Sequence, residues 1–542
     1  MTFDPRVTLV RTESAQHPFA LTVASAWSCY AARPAPVENV LRLWEATDDP
    51  ERLARRARAA ALYQSLFAAG HHTTFQHATF VFIIDGVSRL AIWAFLHAHP
   101  YYNSEQVSQR YREVTPRNVV VPPLPPAAET IYRAAVEQAL AGYQRLTAIL
   151  LPVVQEAYAT VFPARVRSSR PALQAKVARD LQRRAQEVAR YVLPLGISAH
   201  LYHTINGLTL LRYHVLASQP DAPTEVRILV DRMVAAVQAV DPHFLGAPGH
   251  PLDLRVLALE ETLEYQAWRA FCQALQGCAD ERFFVEFDRD LGELNSRLVD
   301  YPADGERLLA DAVRAVLGQP RAALSDAEAI ALVLDPRRNP YLGHPLFLGM
   351  HSKLMQALGH LRFVFQKKIS GAEAAQNQRH RGMTISAPLL WAHLRPEPDV
   401  VVPWLIAQHP PARAVFEETV AALWSAKNRL LAMGVSPEYA AYLLPNAHAV
   451  RFYESGTLLN YFWKWIKRLC YDAQREIFLT AVQEVAQVSR VLPTIGRYLS
   501  RPPCVLRAET GTRPYCPEGE RFCGVPVWQD YAFETLVARR RL

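Results

Sequence analysis

Two landmarks return along this chain at fixed distances, and that self-similarity limits the fold more than any average property. His77-Ala-Thr-Phe80-Val81-Phe82 recurs as His360-Leu-Arg-Phe363-Val364-Phe365, an offset of 283 residues. Ala189-Arg190-Tyr191-Val192-Leu193-Pro194 recurs as Ala440-Ala441-Tyr442-Leu443-Leu444-Pro445, and Thr224-Glu225-Val226 as Arg475-Glu476-Ile477, both at an offset of 251. A constant offset over more than thirty residues signals tandem duplication, with the change of length between the two landmarks. Of the 542 residues, each copy takes roughly 220 to 250, within the range of one domain.

The implied layout is a first domain over 1–250, a helical connector over 251–295, a second domain over 296–500 and a Cys-containing tail over 501–542. Turn chemistry at Gly246-Ala-Pro-Gly-His-Pro251 marks the first boundary. Helices are predicted over 37–69 with a break at Asp48-Asp49-Pro50, and over 128–161, 173–189, 204–217 and 458–488. Leu252 to Val299 reads as amphipathic helix, Val107 to Val121 as loop and strand. The fold class is α+β, helix-rich, with a mainly antiparallel sheet in each copy.

Half the residues are apolar and a fifth charged, which excludes a disordered or fibrous chain. Of 59 basic residues only seven are Lys, and the net charge is +8. These bases are dispersed and carry no aromatic-interleaved RNA motif, so nucleic acid is not an expected partner. Seven Cys, an odd number, make no disulfide framework and point to reduced thiols in a cytoplasmic protein. No apolar signal core or unbroken apolar run of spanning length occurs, so neither secretion nor a membrane is expected. Gly-rich dinucleotide fingerprints and P-loops are missing too.

Three short signals carry chemistry. Gln376-Asn-Gln-Arg379-His380-Arg381 is a dense cationic triplet, which alone would be read as a solvated face. Ser108-Gln109-Arg110-Tyr111 joins a hydroxyl, backbone amides and a guanidinium, groups that suit a phosphate monoester, though a plain turn before Val119-Val120-Val121 has the same composition. Arg468 precedes Ala473-Gln474-Arg475-Glu476-Ile477 on a helix, where a surface ion pair with Asp472 is the ordinary alternative.

At their spacings these signals resemble the flavin-dependent thymidylate synthases, over most of both copies. That family is marked by Gly-His-x-Thr/Ser-x-x-Glu-His, Arg-His-Arg-x7-Ser-x-Arg-Tyr, Ala-Arg-x-Val-Leu-Pro, an Asn-x-Arg helix, and an Arg before Ala-Gln-x-Glu-Ile. The first copy keeps His71 and Thr73, then Ser108, Gln109 and Arg110, then Arg190 and Asn206. Its triplet is reduced to Ala98-His99-Pro100, Leu208 replaces the Arg of the Asn-x-Arg helix, and Ala217 takes the late Arg position. The second copy keeps Gln376, Arg379, His380, Arg381 and Arg468, and has lost the rest to Leu389, Trp391, Ala441 and Thr457. These losses are complementary, so a functional set divided between the copies is expected.

The resemblance implies reductive methylation of dUMP to dTMP with FAD, methylenetetrahydrofolate and NADPH. It places Ser108, Gln109, Arg110, Arg190 and Gln376 on dUMP, with Arg468 against the pyrimidine as the catalytic cation. His71, Thr73, Asn206, Arg379, His380 and Arg381 fall to FAD; His71 and His72 could otherwise be an exposed loop pair or an adventitious metal site. Single-copy relatives are described as homotetramers, which implies a homodimer of this chain forming a pseudo-tetramer. The alternative is a non-catalytic nucleotide-binding or scaffolding paralogue. In the tail, Cys504, Cys516 and Cys523 would need one further ligand to hold Zn²⁺, and their spacings match no standard finger, so a packed tail without metal is the expectation. Cys470, just after Arg468, reads as core.

Overall fold

The computed structural model describes residues 3–99, 101–116, 118–247, 250–254, 259–274 and 280–540. In the first copy four strands, β1 (Arg6–Val10), β2 (Thr79–Ser88), β3 (Asn103–Gln106) and β4 (Ser198–Asn206), form an antiparallel sheet in the order β1-β2-β4-β3. Helices α1 (Pro126–Val161) and α2 (Pro171–Ala189) pack on each other, and α3 (Gly207–Leu216) and α4 (Thr224–Gln238) pack on the sheet. Between the two sheets the chain forms α5 (Leu263–Ala274) and α6 (Glu281–Leu291), and Asp288 on α6 pairs with Lys368 and Arg451 of the second copy.

The second copy repeats the plan. Strands β5 (Ser296–Asp300), β6 (Arg362–Ser370), β7 (Thr384–Ile385) and β8 (Ala449–Thr457) pair in the order β5-β6-β8-β7. With them go α7 (Gly371–Asn377), α8 (Pro410–Ala432), α9 (Leu458–Arg468) and α10 (Arg475–Val491). Two antiparallel sheets in a helix-rich chain agree with the α+β expectation.

The changes in offset have structural causes. A bulge between Asp85 and Val87, where Gly86 has φ +75°, takes up one residue, so Ser88 matches Ser370 at 282. A π-helical turn at Ile92–Leu96 takes up another. Asn103 pairs with Thr204 and Thr384 with Ser455, which sets the following segment at 281 and His99 opposite His380. The large step comes later, where residues 149–185 of the first copy correspond only to 433–436 of the second. The extended end of α1 and nearly all of α2 therefore belong to the first copy alone.

Four local expectations are corrected. Thr204 to Asn206 lie in β4, whose alternate residues Ala199, Leu201, His203 and Ile205 are buried; the helix starts at Gly207, where the Asn206 side chain caps it. Val119 makes only an isolated bridge to Ile197, and Pro122 and Pro123, without amide protons, cannot extend a ladder. The 458–488 helix is two helices separated by 469–474. Leu252 to Val299 is not one helix, since Ser296–Asp300 is strand β5.

The copies meet around a reciprocal seam at Pro194 and Pro445. Leu195 N donates to Leu444 O and Asn446 N to Leu193 O; Gly196 N donates to Tyr442 O and Ala447 N to Tyr191 O, each at 2.8 Å. Every bond has its partner at an offset of 251, which is pseudo-two-fold symmetry. Helices α1 and α8 pack across the seam so closely that a Cβ on Gly142 would strike Thr419. Two clasps finish it, one buried and one partly buried. Glu225 accepts from Ser88 N at 2.7 Å, from Ser88 Oγ, and from Tyr442 Oη of the other copy at 2.8 Å. Glu476 accepts in the same way from Ser370 N and Oγ and from Tyr191 Oη.

Candidate functional site

The loop after β3 folds on Ser108, whose carbonyl accepts from Tyr111 N and Arg112 N and whose Oγ accepts from Arg110 N at 3.2 Å. This turns Arg110 inward, across the seam. One Nη donates to Glu187 Oε2 at 3.0 Å and to the carbonyl of Asp472 at 2.9 Å, while its buried Nε has no partner among the described residues. From the last turn of α9, Arg468 Nε donates to His380 Nε2 at 2.9 Å and an Nη to Gln376 O at 2.8 Å. The ion pair with Asp472 does not form. Arg110 and Arg468 line one cavity of about 340 Å³ with Tyr111, Trp463, Lys467 and Arg521.

Arg110 and Arg468 repel each other across this cavity, and Glu187 and Asp472 beside Arg110 offset part of that repulsion. Burial, then Arg110 and Arg379, lowers the Arg468 pKa to about 10, which leaves it charged at neutral pH. Burial also opposes the charge on Glu187, and Arg110 and Arg190 overcome it, holding that carboxyl below its usual range.

Gln474 joins the two halves. Its Oε1 accepts from Arg190 Nη at 2.5 Å and from Gln376 Nε2, and its amide donates to Tyr191 Oη. Arg190 is buried, and that burial lowers its pKa. Gln109 Oε1 accepts from Asn446 Nδ2 at 3.1 Å. A cavity of about 620 Å³ adjoins this joint, lined by Arg184, Glu187, Tyr191, Trp404, Gln474 and Arg475.

The cationic triplet grips β3 and the residues before it. Arg379 donates to Ser104 O at 2.8 Å and to both Glu105 oxygens at 3.0 Å; Arg381 bonds Tyr102 O and lies over its ring. His380 is driven well below its usual pKa by burial and by Arg468, so it is neutral and its Nε2 can accept the Arg468 proton. A third cavity, about 270 Å³, is walled by Trp93, His97, Tyr102, Gln378, Arg381 and Phe452. His97 stacks on Tyr102 at 4.7 Å, and neither of its ring nitrogens, nor Gln378 Nε2, has a partner among the described residues.

The predicted residues are thus brought together in part. Ser108, Gln109, Arg110, Arg190, Gln376, Arg379, His380, Arg381 and Arg468 form one connected region from both copies of a single chain. His71 and Thr73 instead lie exposed at a 3₁₀ turn beside the start of β2, and Asn206 caps α3 by accepting from Thr209 N at 2.9 Å. None of the three lines these cavities. Sequence reasoning missed Glu187, Glu105, Tyr102 and His97, which lie outside every motif. It quoted Gln474 only as part of a motif, and the presence of a Gln within reach of two other long polar side chains is not visible in one dimension.

The pseudo-equivalent positions on the opposite face are apolar. Trp391 (for Arg110), Ala441 (for Arg190) and Ala217 (for Arg468) are all buried, and Trp268 of the connector packs its ring 5.3 Å from that of Trp391.

Residues 8–243 and 297–494 match the family model described as thymidylate synthase complementing protein. A flavin-dependent thymidylate synthase of Nitratidesulfovibrio vulgaris is 26% identical over 249 residues, 45% of this chain and 87% of the relative. One from Clostridium tetani is 25% identical over 187 residues, 34% of this chain and 68% of the relative. Among solved structures, thymidylate synthase X from Helicobacter pylori with FAD and dUMP is 17% identical, covering 44% of this chain and 96% of that one, with a TM-score of 0.28. Because the two matched segments repeat one family pattern and together span most of its length, this chain belongs to the thymidylate synthase complementing protein family.

Proposed function

We propose that the chain is a flavin-dependent thymidylate synthase that methylates dUMP to dTMP, with one composite site per chain. The observation that carries this reading is the meeting of Arg110, from the first copy, and Arg468, from the second, on the wall of one cavity.

Arg110 faces the dUMP phosphate from the cavity wall, with Ser108 Oγ as a short donor beside it. Arg190, Gln376 and Gln109 support this from behind by fixing Gln474 and Asn446. Arg468 is the fixed cation for negative charge developing on the uracil oxygens, a task worth about 3–4 kcal/mol per donor in comparable sites. His380 orients it by accepting its Nε proton, which keeps the guanidinium plane set before substrate arrives.

The third cavity fits a flat ring with a polar edge: Trp93, Tyr102 and Phe452 supply walls, and His97, Gln378 and Arg381 line its polar side. Arg379, His380 and Arg381 would hold the flavin end of FAD there. When bound, FAD relays reducing equivalents from NADPH in the methylation from methylenetetrahydrofolate. His71, Thr73 and Asn206 would meet that cofactor from a second chain, in a homodimer that forms a pseudo-tetramer. A cytoplasmic setting agrees with this chemistry; among the described residues no helix is long and apolar enough to cross a membrane.

The alternative, a non-catalytic nucleotide-binding paralogue, draws on Glu187, which already pairs with Arg110. Flavin per chain, measured with and without dUMP, tests the proposal. About one supports the composite site. A second equivalent refutes the division between copies, and no flavin even with dUMP favours the alternative.

A further inference from the structure

The tail folds back on the second copy. Tyr531 Oη donates to Ser500 O at 2.5 Å and Arg540 donates to Ala473 O at 2.5 Å, while Tyr471 Oη bonds the carbonyl of Leu536. This return brings Cys504, Cys516 and Cys523 next to Cys470, which lies two residues beyond the end of α9. The four line a single cavity of about 20 Å³, whose other walls include Leu469, Pro502, Phe522, Val525 and Val527. All four are free thiols.

A buried thiol alone acts as a small apolar group and fills space. Four of them facing one hole do the opposite: they leave a void in an interior that is otherwise close-packed. Their backbone surroundings point the same way. Asp472 N donates to Cys470 Sγ at 3.5 Å. Amide protons directed at sulfur are of most use to a thiolate bound to metal. Metal binding to such thiols releases their protons.

An all-sulfur ligand set selects zinc or an iron–sulfur cluster. A single Zn²⁺ requires four sulfurs about 2.3 Å from one point. Among the described residues, no group of three or more His, Cys, Asp or Glu is disposed to hold one metal ion. Sulfurs that share one apolar cavity but do not close on a point suit a ligand of several atoms. We propose that Cys470, Cys504, Cys516 and Cys523 ligate an iron–sulfur cluster of the [4Fe–4S] type. Its cavity shares Cys470, Pro503, Pro517 and Glu518 with the cavity of Arg110 and Arg468, so the cluster would form part of one wall of that site.

The test does not depend on the reading of the substrate site, because it counts metal and sulfide rather than turnover. The full chain is purified without oxygen, treated with ferrous iron and sulfide, desalted, and assayed for iron, acid-labile sulfide and zinc. About four iron and four sulfide per chain are expected, with a paramagnetic signal after dithionite reduction. Cys516→Ser and Cys523→Ser should lose iron and sulfide together, whereas Cys29→Ser, at an exposed position, should keep them. If the variants fail to fold, the content of the native chain still decides. One zinc without sulfide, or four reactive thiols and no metal, overturns the proposal.

Discussion

The two faces flanking the Pro194–Pro445 seam begin alike and end differently. Each has its Ser–Glu clasp closed by a Tyr from the other copy. Beyond the clasps, one face holds Arg110, Arg190 and Arg468, and the other holds Trp391, Ala441 and Ala217 under Trp268. Converging buried cations are costly to fold around unless partners or ligands compensate them, while apolar side chains in the same volume are stabilising. Duplication lets the molecule keep both solutions, with the cationic arrangement on one face and a packed core on the other.

The largest effect should come from Trp391. Trp391→Ala is expected to cost about 3–5 kcal/mol of stability, read from denaturant unfolding, with an unchanged KM for dUMP. A raised KM would mean that this face also handles substrate. Next, Arg468→Ala should lower kcat by about 10²–10³-fold. Arg110→Ala should act mainly on KM, raising it by about 10–100-fold, as expected for a lost charge-assisted contact. Ala217→Arg should restore nothing, because Trp391 and Ala441 remain opposite it; a second equivalent of bound dUMP in that variant would break the contrast.

The smallest effect concerns the clasps, where the faces agree. Burial pushes the Glu225 carboxyl up to about 7, against an ordinary 4.5. The folded chain therefore holds more protons than the unfolded one between those values, and stability falls as pH rises from about 4.5 through about 7. Glu225→Gln should flatten that slope in thermal melts from pH 5 to 8. Burial also raises Glu476, so Glu476→Gln should flatten it as well. A slope that stays unchanged in both variants would mean that the clasps do not titrate in this window.

The duplication and the complementary loss of motif residues were legible because they are statements about residue identity at fixed offsets. Helix α1 was legible from the Pro-rich stretch that precedes it, but β4 was not read as a strand. Its buried Ala199, Leu201, His203 and Ile205 alternate as a strand should, yet the predicted helix began at Thr204, inside that strand. Contacts between copies were not legible. Glu187 binds Arg110, and Glu105 binds Arg379, across separations of 77 and 274 residues, and no local pattern distinguishes either carboxylate from its surface neighbours. The convergence of Cys470 with three tail cysteines was hidden for the same reason: the spacing of the tail thiols matches no standard pattern, and the fourth lies on the far side of a helix and several turns.

The seam at Pro194 and Pro445 also bears on dilution. When two separate chains meet across such a surface, their shared cavities come apart as the protein is diluted below the dissociation constant. Here both surfaces belong to one chain, so their meeting is intramolecular, whatever the protein concentration in solution. The cavity shared by Arg110 and Arg468 therefore stays assembled in a single molecule, and its occupancy by a ligand depends on the ligand's concentration alone.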